Sequence, residues 1–186
     1  MAASSSLKNM ALCLTLVCLL CSAILGVVYA VTYSPIQDAA RKALVESIGK
    51  VLPEGGELSD AIASSAEGVS EYYVSDVDGV PAAYAVKAST IGFGGPLTIM
   101  VGVLPDGTVY NTSVLECNET PGLGAKCQSD EAFMSQWKGF SGNLKVRKDG
   151  GDVDAITAST ITSRAYALAV SNAVEFVKSL GGQDNE

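Results

Sequence analysis

The stretch Leu97-Thr-Ile-Met-Val-Gly-Val-Leu104-Pro-Asp-Gly107-Thr-Val-Tyr-Asn-Thr-Ser-Val-Leu115 decides the fold. Leu97 to Leu104 is a nearly unbroken apolar run, as a strand buried on both faces requires. Pro105-Asp106-Gly107 supplies turn chemistry, and Thr108 to Leu115 then reads as a returning strand, so the pair is an antiparallel hairpin. Upstream, Glu71 to Val77 and Val80 to Ala88 flank an Asp78-Gly79 turn and read as a second hairpin. A glycine-rich break, Gly92-Phe-Gly-Gly95-Pro96, separates the two.

Downstream the period changes. Ser129-Asp-Glu131 opens a short helix through Trp137, and a polar segment with Lys145, Arg147 and Lys148 follows. From Ser163 to Leu180 the apolar stripe Tyr166, Val170, Ala173, Val177 and Leu180, with Phe176 on its margin, marks an amphipathic helix suited to packing on the sheet. Antiparallel strands with helices gathered at the ends give an α+β domain, an antiparallel sheet with flanking helices.

The amino terminus is different material. Met10 to Val31 carries no charge, and at about 1.5 Å per residue it spans roughly 33 Å, enough for a bilayer core. It reads as one N-terminal transmembrane helix. A signal peptide cut after Ala30 is the competing reading, but the apolar run exceeds the usual signal core and Lys8 is the only basic residue before it. Ser34-Pro35 reads as an N-cap and first helical position, with Ile36, Ala40, Ala43, Leu44, Ile48 and Val51 recurring at helical spacing until Pro53-Glu-Gly-Gly56. Residues to Gly68 read as a second short helix or linker. The expected organisation is an anchor over residues 1–32, a helical connector over 33–69 and a folded domain over 70–186.

Charge and cysteine content narrow the function. With 20 Asp+Glu against 12 Lys+Arg, the net charge of -8 argues against nucleic acid. Histidine is absent and nothing resembles the two CxxC motifs of a zinc or iron–sulfur site, which disfavours metal catalysis. Cys13, Cys18 and Cys21 lie within the apolar run as small hydrophobes. Cys117 and Cys127 suit either a disulfide in an oxidising compartment or two separate thiols.

Three segments stand apart from packing logic. Gly92 to Leu97 lets the backbone approach a planar ligand closely, although glycines before a strand often only mark a tight turn. Glu119-Thr-Pro-Gly-Leu-Gly-Ala-Lys126 demands a fixed irregular loop between a carboxylate and an ammonium. Glu119 can face a ligand or cap loop amides. Asp154-Ala-Ile-Thr-Ala-Ser-Thr160-Ile-Thr-Ser163 sets hydroxyls at a helix start, where they serve as plain caps or as acceptors of a modification.

Together these segments resemble the FMN-binding domain of the G subunit of Rnf-type ion-translocating electron-transport complexes, a domain shared with the C subunit of the sodium-pumping NADH:quinone reductase. The resemblance runs over almost the whole chain, and the Glu119 to Lys126 loop matches the family pattern throughout. It implies FMN linked as a phosphoester to the threonine that ends a Ser/Thr-Gly-Ala-Thr motif, placed there from FAD by a flavin transferase. Here that threonine is Thr160, with Ala158 and Ser159 departing from the family's glycine and alanine, and Thr157 and Thr162 as fallback acceptors.

The implied FMN contacts are Thr157, Ser159, Thr160, Thr162, Ser163 and Arg164 at the attachment segment. Gly94 and Gly95 belong to the first loop, and Glu119, Thr120, Gly122, Leu123, Gly124 and Lys126 to the second. A phosphate on Thr160 would meet free amides and the positive end of a helix dipole. Arg164 would add a charged hydrogen bond, and Lys126 would stabilise charge on a reduced flavin. Asp154 would hold a cation during attachment or bond within the loop.

The resemblance further implies a single-pass protein of the cytoplasmic membrane with its flavin domain on the extracytoplasmic side. It would relay electrons within a complex that moves them between ferredoxin and NAD and exports sodium ions or protons. The implied partners are the other membrane and peripheral subunits and the transferase. The rival readings are the C-type chain of the quinone reductase, a stand-alone flavin reductase or sensor domain, and a flavin-free binding module.

Overall fold

The computed structural model describes residues 7–181. The chain divides into two compact units, one running to Ala43 and the other starting at Leu44. The first holds most of α1 (Leu7–Val51), including the only stretch among the described residues long and apolar enough to cross a membrane. The sequence places a helix start at Ser34-Pro35, but α1 runs through Pro35. A proline removes one backbone donor, and helix-forming sequence on both sides carries the helix past it.

In the second unit β3 (Val69–Val77), β4 (Val80–Ile91), β5 (Pro96–Val103) and β6 (Val109–Cys117) form an antiparallel sheet. Two short strands, β1 (Glu57–Leu58) and β2 (Ile62–Ala63), pair with β3 where a second short helix or linker was expected. Strands this short leave no period for a sequence reading to detect. The α+β class expected from the sequence is the one observed.

Both faces of the sheet are covered, which explains the apolar run in β5. Leu97, Ile99, Val101 and Val103 join the large core on the face packed by α3 (Thr160–Gly181), with Tyr166, Val170, Ala173 and Val177. Met100 points the other way, into a smaller cluster with Ile48, Val51, Tyr73 and Ala85. Alternate residues of one strand therefore serve two cores. Gly102 is needed for the second, because a Cβ there would collide with the Val51 carbonyl.

Aromatic packing fixes the carboxy-terminal helix. Trp137 stacks on Tyr166 with ring centroids 5.2 Å apart, and Phe133 meets Tyr166 edge-on at 5.1 Å. The Tyr166 hydroxyl donates to Thr112 Oγ1 at 2.9 Å, giving the buried ring a satisfied polar end. The short helix α2 (Glu131–Ser135) brings Phe133 there, and Asp130 caps it by accepting from the amides of Ala132 and Phe133.

Candidate functional site

The glycine-rich segment is the tip of the β4–β5 hairpin. Ile91 still pairs with Pro96, and the Gly92 amide closes the turn on the Gly95 carbonyl at 2.9 Å. The Glu119 carboxylate, itself buried, reaches across to this tip. Its Oε1 accepts from the Phe93 amide at 2.7 Å and its Oε2 from the Gly94 amide at 3.3 Å. Gly92 makes room for the carboxylate, since a Cβ there would collide with it. Glu119 thus caps loop amides.

The Thr120 carbonyl accepts from the amides of Leu123 and Ala125, and Gly122, with φ of 77°, turns the chain between them. Gly124 then begins a 3-10 turn (Gly124–Gln128) and presses onto the first turn of α3. A Cβ on it would lie 2.5 Å from Glu119 Oε2 and 2.7 Å from Thr162 Oγ1. That glycine allows the second segment to meet the third.

The third segment starts α3 earlier than the sequence reading, at Thr160. Ser163, fully buried, stitches the start together: its hydroxyl accepts from the Ile156 amide and donates to the Ser159 carbonyl, both at 3.0 Å. Ala158 adopts φ of 62°, a left-handed conformation that an L-residue with a Cβ enters at a cost. The Ser159 hydroxyl is buried and has no hydrogen-bond partner among the described residues. Thr160 is half-buried, and its Oγ1 accepts from Lys148 Nζ at 3.2 Å.

All three segments line one cavity of about 390 Å³, bounded by Phe93, Glu119, Thr120, Leu123, Gly124, Ala158, Ser159, Thr160, Ile161 and Thr162. This falls within the range of about 300–1,000 Å³ of small-molecule sites. Its walls are mostly apolar, and Phe93, Leu123 and Ile161 expose large parts of their side chains. Its polar end is the start of α3, where first-turn amides lack intrahelical partners. The Lys148 ammonium, itself outside the lining, reaches this end through Thr160, the neighbour of Ser159 with its unpartnered hydroxyl. An anion at one end and a flat apolar ring system at the other fit these residues, as FMN would require.

Several expected contacts lie elsewhere. Thr157 and Lys126 are outside the lining, as are Gly94, Gly95, Gly122 and Ser163. Arg164 turns away from the cavity into a bidentate pair with Asp149, with nitrogen–oxygen distances of 2.6 and 2.7 Å. That guanidinium holds the Asp149 carboxyl below its ordinary range. Asp154 pairs with Arg147 at 2.7 Å, and its backbone is held by the Gln136 side chain. Phe93, Ile161 and Lys148 were not picked out individually from the sequence; for Phe93 the signal was an aromatic ring set among glycines.

Cys117 and Cys127 close the base of the Glu119 loop with their sulfurs 3.6 Å apart as thiols. Burial, with Cys117 beside it, pushes the Cys127 thiol up to about 12.

Comparison with known proteins gives the family. The FMN-binding domain family model matches residues 92–175. The G subunit of the ion-translocating oxidoreductase complex of Vibrio cholerae is 34% identical over 83% of this chain and 82% of its own length. The G subunit of the proton-translocating ferredoxin:NAD(+) oxidoreductase complex of Clostridium ljungdahlii is 32% identical over 91% of this chain and 90% of that one. Among solved structures, the C subunit of the Na(+)-translocating NADH-quinone reductase of Parabacteroides distasonis is 29% identical. That alignment has a TM-score of 0.46 and covers 59% of this chain and 64%, under two thirds, of the other.

Proposed function

This chain belongs to the family of G subunits of ion-translocating oxidoreductase complexes, and from that membership we propose that it is a membrane-anchored electron-transfer subunit with FMN held covalently on Thr160. The observation that carries the proposal is the polar end of the cavity. There a lysine ammonium donates to the Thr160 oxygen at the first turn of α3, next in sequence to the unpartnered buried hydroxyl of Ser159. FMN, when bound, supplies one- and two-electron redox chemistry. Thr160 would tether it, and the amides of the first turn would hold its phosphate. Phe93, Leu123 and Ile161 would exclude water from its ring.

Tethering suits this domain, because a small chain encloses a flavin incompletely and a covalent link removes loss by dissociation. The anchor serves the same end by holding the flavin at high effective concentration beside membrane-embedded partners. In this reading the flavin domain lies on the extracytoplasmic side of the membrane. The complex carries electrons between ferredoxin and NAD while exporting sodium ions or protons, and a flavin transferase loads the chain. The chain does not pump alone, since Met10 to Val31 offers no ionisable pathway.

The test is in-gel flavin fluorescence of the denatured protein coexpressed with its transferase. Wild type should fluoresce and Thr160→Val should be dark. Fluorescence retained in Thr160→Val would move attachment to Thr157, Thr162 or another residue. A dark wild type alongside a transferase of proven activity would rule out covalent FMN.

A further inference from the structure

We propose that Lys148 is the positioning residue of the acceptor: its ammonium holds the Thr160 oxygen before attachment and the phosphate charge after it, a role that rests on the covalent reading above. The first observation is the contact itself, Nζ donating to Oγ1 at 3.2 Å. The second is how the contact is built. Lys148 sits in a 3-10 turn (Arg147–Asp149), and its neighbour Asp149 grips Arg164. Thr160 and Arg164 are four apart on α3 and share one face, so anchoring Asp149 to the second turn delivers Lys148 to the first. The turn is held from behind by the bridge between Val146 and Val153, both buried.

The third observation is charge. Four cations lie around Asp149 and the start of α3: Arg147 is neutralised by Asp154 and Arg164 by Asp149, while Lys145 and Lys148 both lie within electrostatic reach of Asp149 without an ion pair among the described residues. Lys148 has no carboxylate within ion-pair distance among the described residues and ends on a neutral hydroxyl. A charged donor gains far more from an anionic oxygen than from an alcohol. The acceptor oxygen becomes such a group twice, as its proton leaves and again when phosphate is attached.

In the transfer, Thr160 Oγ1 bonds to the FMN phosphorus of a flavin adenine dinucleotide. The bond from that phosphorus to the bridging oxygen breaks, AMP departs with that oxygen, and the hydroxyl proton passes to a base of the transferase or to solvent. The product phosphodiester keeps one negative charge. Lys148 faces that charge from the side on which it already meets the Thr160 oxygen.

The experiment follows the initial rate of flavin uptake by the detergent-solubilised full chain, given active transferase and FAD. Wild type is compared with Lys148→Gln, Lys148→Arg and, as a charge-number control, Lys145→Gln, and the melting temperature of each unmodified chain is recorded. Lys148→Gln should slow uptake roughly ten- to hundredfold at an unchanged melting temperature. Lys148→Arg should restore most of the rate, and Lys145→Gln should match wild type. A wild-type rate in Lys148→Gln overturns the proposal, and so does an equal loss in Lys148→Arg or Lys145→Gln. A wild type that takes up no flavin overturns the covalent reading first, and this role with it.

Discussion

The loop wall and the helix wall of the cavity meet where Gly124 presses on Thr162, yet they dispose of their polar groups in opposite ways. On the loop wall the Glu119 carboxylate is buried against the Phe93 and Gly94 amides, and the Thr120 carbonyl is bonded to two amides. On the helix wall the Ser163 hydroxyl is spent on the backbone, but the Ser159 hydroxyl has no partner among the described residues and the Thr160 hydroxyl has Lys148. Ala158 adds a strained left-handed residue to the same few positions. A wall with satisfied groups is a scaffold; one unsatisfied hydroxyl and one strained residue set the helix wall apart, in keeping with the ligand end proposed above.

The largest effect should come from breaking the scaffold. Glu119→Ala leaves two loop amides without an acceptor and opens a void between the hairpin tip and the Gly124 turn. It should cost roughly 2–4 kcal/mol. Thermal unfolding of the detergent-solubilised chain would show it, and a melting temperature like that of wild type would mean the loop wall is not held by Glu119.

A smaller effect of opposite sign is expected on the helix wall. Ala158→Gly removes the Cβ that makes φ of 62° costly, at some loss of entropy in the unfolded chain. The net should be a gain of roughly 0.5–1 kcal/mol. If instead the glycine variant were less stable, the strain assigned to that wall would be absent. Glycine is also what the family resemblance implies at this position, and the left-handed backbone conformation would account for it.

These walls were not equally legible in the sequence. The hairpin of β5 and β6 was written in an apolar run and a Pro-Asp-Gly turn, and α3 in its 3.6-residue stripe. The three site segments stood out because glycine, proline and clustered hydroxyls fit no strand or helix period. What the sequence could not carry was pairing across distance. Arg164 next to a hydroxyl cluster suggests a phosphate ligand until Asp149, fifteen residues away, is seen to occupy it. Lys148 lies twelve residues before Thr160 in a segment that looked merely polar, and the packing of Val146 and Asp149 brings it into reach. The start of α3 was placed at Ser163 because any of its hydroxyls can cap. The buried bonds of Ser163 put it inside the helix instead.

The base of the loop wall offers the finest test, because it changes one proton and no backbone contact. Cys127 is buried beside Cys117 and holds its thiol proton up to about pH 12, above its ordinary value of 9.0. Between those values the folded chain keeps a proton that the unfolded chain gives up. The stability this contributes is therefore complete below about pH 9 and is lost as pH rises toward 12. Tyr166, whose buried phenol is also pushed upward, acts in the same direction, so the alkaline limb alone does not identify Cys127. Comparing the melting temperatures of reduced wild type and Cys127→Ala from pH 7 to about pH 11 isolates the part of the alkaline limb that depends on Cys127. Wild type should fall more steeply above pH 9, since Cys127→Ala removes the thiol and, with it, the thiolate's upward push on the Tyr166 phenol, leaving only the burial of that ring. Parallel curves would mean that the thiol ionises without opposing the fold, and that the base of the loop admits water.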